Sequence, residues 1–327
     1  MRSRKVVSLV AALLATLVIG YFVLAELKWA DLVALSKQGK PGYLALGFAA
    51  YFAANVLRAR RFRALTGDQI PAGTFLRTVI IQNLLNTFLP LRAGEASYLY
   101  MVHKSGSVKP GDNVGSLLGA RVLDLLAALV IPVLALPLSS ASTLRGVPLG
   151  YLALLPLVGA LLLLLAIRHA EALAAFIALR ARTGRAWLNR ALNLASDVLR
   201  SLAKLRSGRL LGRVLALTIS CWLLIYVCGY FTLVGVGLRL PVFDCVFAYS
   251  FPVVVSMLPI YMLGGFGVFE GSIGVGLNLV GVPLSTALAA ALALHVAELM
   301  FILIPAPLTL LPRLWPRATP PGRVSAG

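Results

Sequence analysis

Long apolar stretches alternate with short basic connections along this chain, and the length of each stretch limits what it can form. A helix rises 1.5 Å per residue, so about 20 apolar residues are needed to cross a hydrocarbon layer of about 30 Å. Runs that approach or exceed this length lie at residues 6–25, 42–57, 113–137, 148–167, 212–236 and 285–311, and each predicts a membrane-spanning helix. Two further apolar regions, about 74–103 and about 242–281, are interrupted in the same manner, by proline and glycine followed by glutamate. The first interruption reads Leu89-Pro90-Leu91-Arg92-Ala93-Gly94-Glu95. The second starts at Leu258-Pro259 and continues as Gly264-Gly265-Phe266-Gly267-Val268-Phe269-Glu270-Gly271. Hydrocarbon tolerates neither loose backbone nor charge, so such breaks survive only where protein or a wet cavity surrounds them. Each region is therefore predicted to be a re-entrant hairpin of broken helix, and a matched pair of these points to a transport site.

Charge along the chain orients the predicted spans. Arg58, Arg60, Arg61 and Arg63 follow the second span, and the segment 168–211 carries Arg168, Arg180, Arg182, Arg185, Arg190, Arg200, Lys204, Arg206 and Arg209 against Glu171 and Asp197. Basic connections stay in the cytoplasm, so both are predicted to face inward, as are Arg2, Arg4 and Lys5 at one end and Arg313, Arg317 and Arg323 at the other. The nearly uncharged segments 138–147 and 281–284 are predicted to face out. Hairpins that return to the side they entered make these assignments consistent. The segment 26–40 fits least well, since it is placed outside while holding Lys28, Lys37 and Lys40.

The fold expected from this pattern is an all-α polytopic membrane protein built as an inverted repeat of transmembrane helices. Repeat one covers about 41–137 and repeat two about 212–311, within one transmembrane domain, 1–311, with both termini cytoplasmic. Between them, about 168–211, apolar residues such as Leu188, Leu192, Leu199 and Leu202 recur among arginines at helical intervals. That spacing predicts one or two amphipathic helices on the cytoplasmic leaflet, collecting anionic lipid or serving as a basic linker that anchors topology. Residues 312–327, with Pro312, Pro316, Pro320 and Pro321, have the composition of a disordered tail.

Composition narrows the function. Hydrophobic residues make up 60% of the chain and charged residues 13%, which excludes a soluble globule. In a soluble protein the formal net charge of +19 would suggest nucleic acid; between apolar spans it suits topology and anionic lipid head groups instead, and no nucleic-acid partner is expected. Cys221, Cys228 and Cys245 have no metal-ligand spacing, and there is neither a Walker loop nor a His-Glu-x-x-His motif. No metal, no cofactor and no enzymatic activity are expected, because His103, His169 and His295 stand beside no evident nucleophile.

Ionisable side chains within the apolar regions are the sharpest signal, each costing about 2.5–3.5 kcal/mol at the centre of a span. They are Arg92 and Glu95, Arg121 and Asp124, Glu270, and His295 with Glu298. Arg92, Gly94, Arg121, Gly265 and Gly267 are the candidates for holding a lipid head group, through guanidinium forks and exposed backbone N–H groups. Glu95, Asp124, Glu270, His295 and Glu298 are the candidates for charge pairing or coupling. Arg121 and Asp124 share a helix face and suit either a phosphate clamp or a self-neutralising pair. Glu95 and Glu270 either complement the positive ends of half-helices or pair with arginines across the repeat interface, as Glu270 would with Arg92 or Arg121. His295 and Glu298 suit a proton relay, or else a bond from His295 to a neighbouring helix with Glu298 facing a polar interior. A carboxylate such as Glu270 or Glu298 could couple transport to protons. Asn55, Asn83 and Asn86 suit interhelical bonding or a polar lining.

At Leu89–Glu95, at Arg121-Val122-Leu123-Asp124 and at Gly264–Gly271 the chain resembles the lysylphosphatidylglycerol synthase transmembrane, or flippase-like, family of bacterial and archaeal membrane proteins. The resemblance covers nearly the whole chain. It implies a membrane domain that binds a phospholipid or another polar lipid and moves it between leaflets, in a bacterial cytoplasmic (inner) membrane. Bifunctional members carry a following aminoacyltransferase domain that makes aminoacyl-phosphatidylglycerol; only a short tail follows the last span here, which implies a stand-alone membrane domain without that synthase activity. Some stand-alone members are linked to hopanoid or glycolipid pathways. The function so implied is that of a flippase or scramblase for an anionic phospholipid or glycolipid. A membrane-embedded lipid-modifying transferase and an accessory scaffold of lipid biosynthesis are the alternatives. Membrane lipids are the expected partners, and a second copy of the chain or lipid-biosynthesis enzymes are the protein partners left open.

Overall fold

A computed structural model describes residues 28–68, 70–89, 92–105, 108–141, 149–180, 186–256 and 263–310. Regular structure among them is entirely helical, eleven α-helices with short 3-10 turns between some of them. In chain order these are α1 (Trp29–Gln38), α2 (Pro41–Leu65), α3 (Ala72–Phe88), α4 (Ala93–Lys104), α5 (Pro110–Ala135), α6 (Leu149–Arg180), α7 (Ala186–Ala203), α8 (Gly208–Gly235), α9 (Val242–Ser256), α10 (Val268–Leu279) and α11 (Leu284–Leu303). Among the described residues four stretches are long and apolar enough to cross a membrane: Pro110–Leu138, Pro156–Leu179, Gly208–Gly235 and Leu284–Leu310. They overlie four of the six predicted spans. The predicted span 6–25 and the tail 312–327 lie outside the described residues, as do Pro90, Leu91, Leu258 and Pro259.

The predicted span 42–57 needs correction. It belongs to α2, which continues to Leu65 through the four arginines expected to form a cytoplasmic connection. Only Arg60 of the four is exposed, and Arg61 is fully buried. A buried charge on that turn is sustained by a partner elsewhere in the fold, described below, and α2 stays helical along its extended contact with α8. The segment 148–167 likewise does not end where expected, since α6 runs on to Arg180 over 32 residues. The amphipathic part of the linker is the single helix α7, folded back against α6 and resting on α5. Ser196 Oγ donates to the Ala174 carbonyl at 3.0 Å, while Gly111 and Gly115 of α5 lie against Asp197 and Ser201.

A long helix, two short helices and a second long helix occur twice in succession, as α2, α3–α4, α5 and as α8, α9–α10, α11. The short helices have 17 and 12 residues in the first set and 15 and 12 in the second. Contacts between the sets are reciprocal: α2 packs on α8, α5 on α9, and α11 on α3. Each short pair closes by the same device, a glycine of its second helix against backbone of the first. Gly94 of α4 sits on the Gln82 carbonyl and the Asn86 side chain, and Gly276 of α10 sits on Ala248. Any Cβ at either position would collide with backbone, so the close approach itself demands glycine. An aromatic cluster of Phe62, Phe75 and Tyr98 fills the first set; Ala287, Ala289, Ala290 and Ala291, all buried, let α11 press into the second.

Candidate functional site: a cationic cavity between the two helix sets

Both breaks have unusual backbone. Arg92, which begins the first turn of α4, has φ 54° and ψ 44°, a left-handed conformation uncommon for a residue with a Cβ. In the second break Gly264, Gly265 and Gly267 have φ of 82°, 81° and 81°, where glycine alone is unstrained. Arg92 Nη1 reaches the carbonyl of Ser256, the last residue of α9, at 3.4 Å. That contact joins the first break to the mouth of the second.

Between the two sets lies a cavity of about 260 Å³. Tyr51 and Arg58 of α2, Gln82, Asn83, Asn86 and Thr87 of α3, Arg92, and Arg121 and Asp124 of α5 line it from the first set. From the second set come Trp222, Ile225 and Cys228 of α8, Tyr249, Pro252, Val253 and Ser256 of α9, Phe269 of α10, and Glu298 and Ile302 of α11.

Asp124 is the most heavily bonded group on this wall. Arg61 grips it with both prongs, Nη1 to Oδ1 at 2.7 Å and Nη2 to Oδ2 at 3.0 Å, and the Trp222 indole donates to Oδ1 at 3.1 Å. The predicted partner on the same helix face, Arg121, stands further off, with Nη1 3.5 Å from Oδ2. Glu95 is shared by Arg92 and Arg121, whose Nε atoms each lie 2.9 Å from Oε1. The N–H directions of those two Nε groups miss the carboxylate, so the contact is coulombic rather than a linear hydrogen bond. Arg58 donates from Nη1 to Asn83 Oδ1 at 3.1 Å, and Asn83 in turn donates to Asn55 Oδ1 at 2.8 Å. Among the described residues Arg58 meets no carboxylate. Four guanidinium groups, Arg58, Arg61, Arg92 and Arg121, thus balance two carboxylates, Glu95 and Asp124, leaving two positive charges before Glu298 is counted. Gln82 is 1% exposed, and among the described residues its Nε2 donor on the cavity has no partner; Asn86 Oδ1 is likewise unmatched there.

Glu270 takes the first of its two expected places, at the positive end of a half-helix, and not the second, beside an arginine. It does not pair with Arg92 or Arg121 and does not line the cavity; it is sealed with His295 behind Phe269. One carboxylate oxygen accepts the Gly267 N–H at 2.7 Å, and the other lies 2.7 Å from His295 Nδ1. His295 Nε2 is 2.8 Å from the Gly264 carbonyl, and the rings of Phe266 and Phe269 lie 4.7 and 4.5 Å from the imidazole. Glu270 sits three residues past Gly267, within reach of the open N–H there, and this local bond fixes the direction of its side chain. The cluster clamps the second break onto α11. Gly265 and Gly267, predicted to hold a head group, serve this turn, while Gly94 serves helix packing; none of the three lines the cavity. His295 and Glu298 share no hydrogen bond among the described residues, because His295 is committed to Glu270. Glu298 accepts from the Tyr249 hydroxyl at 2.5 Å.

Of the predicted residues, the fold therefore gathers Arg92, Glu95, Arg121, Asp124 and Glu298 at or beside one cavity and sets Glu270 and His295 apart. Sequence reading missed Arg61 and Arg58, assigned to a connection, and Gln82, Trp222 and Tyr249. A signal for Arg58 existed: Tyr51, Asn55 and Arg58 recur at i, i+4 and i+7, a polar stripe on an otherwise apolar helix.

Fold and cavity together define a multi-pass helical membrane protein with a positively charged interior hollow. The chain belongs to the family described as the lysylphosphatidylglycerol synthase TM region, whose sequence profile matches residues 8–306. This membership agrees with the resemblance seen in the three motifs and relates the protein to lipid metabolism and transport. Among curated proteins no match was found.

Proposed function

We propose that the protein moves an anionic lipid, phospholipid or glycolipid, between leaflets as a flippase or scramblase, with the head group passing through the cationic cavity. The observation that carries this reading is the surplus of guanidinium charge around a hollow bounded by both helix breaks. A polar head group does not cross hydrocarbon unaided, whereas a groove with matched donors replaces its water while the acyl chains stay in lipid. Arg58, Arg92 and Arg121 supply forked donors for a phosphate or sulfate-like anion, and the unmatched Gln82 amide adds a neutral one. On this reading the two helix sets are an inverted repeat whose short pairs enter from opposite faces. Basic connections then hold both termini in the cytoplasm of a bacterial inner membrane. The protein acts as a carrier, and no covalent bond of the lipid changes.

The test is leaflet sidedness in proteoliposomes, with labelled phosphatidylglycerol, a glycolipid and phosphatidylcholine, for wild type and Arg121→Ala. Wild type is expected to redistribute the anionic lipid at least about tenfold faster than the variant. A chemically altered lipid recovered from the vesicles would replace this reading by a transferase. Equal rates for protein-free vesicles, wild type and variant would leave only a scaffold.

A further inference from the structure

Among the described residues, every carboxylate tied to the two breaks has a cation or a backbone donor to hold it, except one. Asp124 has Arg61 and the indole of Trp222, Glu95 has Arg92 and Arg121, and Glu270 has His295 and the Gly267 N–H. Glu298 lines the cavity, and its one hydrogen bond among the described residues is with the neutral Tyr249 hydroxyl. No Lys or Arg of the described residues forms an ion pair with it. An ionised carboxylate in that position repels the anion that the arginines attract, and the repulsion vanishes when the carboxylate takes up a proton.

We infer that Glu298 is a proton-binding site linked to the head-group site, so that an anionic head group enters the cavity together with one proton carried on the Glu298 carboxylate. This rests on the translocation reading above. The proton comes from water and returns to water when the head group leaves, so no other reactant is required. By linkage, protonation of Glu298 favours anion binding, and bound anion favours protonation by the same factor. A proton gradient then drives anionic lipid in the direction in which protons flow.

The surrounding groups leave Glu298 as the site of this titration. Packed against α11, α2 brings Tyr51 and Arg58, α8 Cys228, α9 Tyr249, α1 Asp31 and Lys37, while α3 brings only the neutral Gln82, Asn83 and Asn86. Across the cavity stand Arg92, Arg121 and Asp124. Tyrosine, cysteine, lysine and arginine ionise ordinarily well above neutrality, and Asp124 is taken by both prongs of Arg61. The members of the remaining pair, Glu270 and His295, are committed to each other and to backbone groups of the second break. The Gly264 carbonyl can only accept, so Nε2 keeps its hydrogen, and the Nδ1 to Oε1 contact requires one more proton between the two groups. That pair is sealed from the cavity.

The experiment uses the full chain in proteoliposomes with fluorescent phosphatidylglycerol, comparing wild type, Glu298→Gln and Glu298→Asp at symmetric pH of about 6 and about 8 and under an imposed gradient. Wild type and Glu298→Asp are expected to move the lipid about tenfold faster at the lower pH at subsaturating lipid, and to enrich it in the leaflet facing the alkaline side. Glu298→Gln, a mimic of the protonated state, is expected to move it at a rate indifferent to pH and to the gradient. A Glu298→Gln protein that responds to pH as wild type does would overturn the inference, as would wild-type transport independent of pH. So would a Glu298→Gln protein that loses only amine-bearing lipids, which would make Glu298 a counter-ion for ammonium. Absence of movement in every protein at every pH, with a correctly eluting monodisperse sample, would instead remove the translocation reading itself.

Discussion

Arg61 and Asp124, 63 positions apart in the chain, form a two-pronged ion pair with side-chain exposures of 0% and 6%. The pair joins α2 to α5, and Thr218 and Trp222 bring α8 into the same knot at 3.2 and 3.1 Å. Three long helices from both sets meet there, directly behind the cavity wall. Removing one member leaves the other buried without a counter-charge. Asp124→Leu or Arg61→Met is therefore expected to lower stability by about 3–5 kcal/mol, and the double variant Arg61→Met with Asp124→Leu by much less than the sum. Thermal unfolding in detergent for the four proteins checks it, and additive losses would argue against a direct pair.

Arg58 differs from Arg61 in having an amide for a partner. Arg58→Gln is expected to leave the melting temperature within a few degrees of wild type while weakening binding of an anionic head group by about five- to tenfold. Titrating a short-chain phosphatidylglycerol against both proteins at low and high salt measures the effect. The difference between them should shrink as salt rises.

At the second break, Glu270 and His295 act through backbone groups. Glu270→Gln keeps the Gly267 N–H satisfied but weakens the link to His295, whereas Glu270→Ala orphans both the N–H and the imidazole. The expected order of stability is wild type, then Gln, then Ala, with the last about 2–4 kcal/mol below wild type. Hydrogen exchange at Gly267 and Val268 should follow the same order, and equal protection in all three would show that the clamp is dispensable.

Gly94 tests whether the first short pair needs its close approach. A Cβ at this position meets the Gln82 carbonyl and the Asn86 side chain, so even Gly94→Ala forces backbone to move. A loss of about 1–3 kcal/mol is expected for alanine and more for valine. Had Gly94 served only to expose N–H groups to a ligand, alanine would change ligand binding and leave the melting temperature alone; the two readouts separate these roles.

Much of this architecture is legible along the chain because hydropathy is additive over neighbours. The stretches Pro110–Leu138 and Gly208–Gly235 are apolar for longer than a soluble helix needs, and the interruptions at Arg92 and at Gly264–Gly267 are written in residues that helices avoid. Arg61 was not legible. Its neighbours Arg58, Arg60 and Arg63 have the composition of an exposed connection, and nothing local tells that one face of this turn is pressed onto α5 and α8. For Glu270 the local rule and the long-range expectation competed, and the local one won: an open N–H three residues earlier captured the carboxylate before any arginine could. The same residue types in the first break took the other course, with Glu95 serving two arginines.

Sequence alone thus determined that this is a helical membrane protein with two matched breaks and a short roster of charges that must find partners, because insertion into hydrocarbon is decided by length and polarity, both local quantities. Tertiary structure alone decided which charges pair. Arg61 with Asp124 and Glu270 with His295 are separated by 63 and 25 positions, and only the packing of whole helices sets such distances. The cationic surplus of the cavity and the lack of an ion-pair partner for Glu298 among the described residues are sums over those choices, so they exist only once the helices have met.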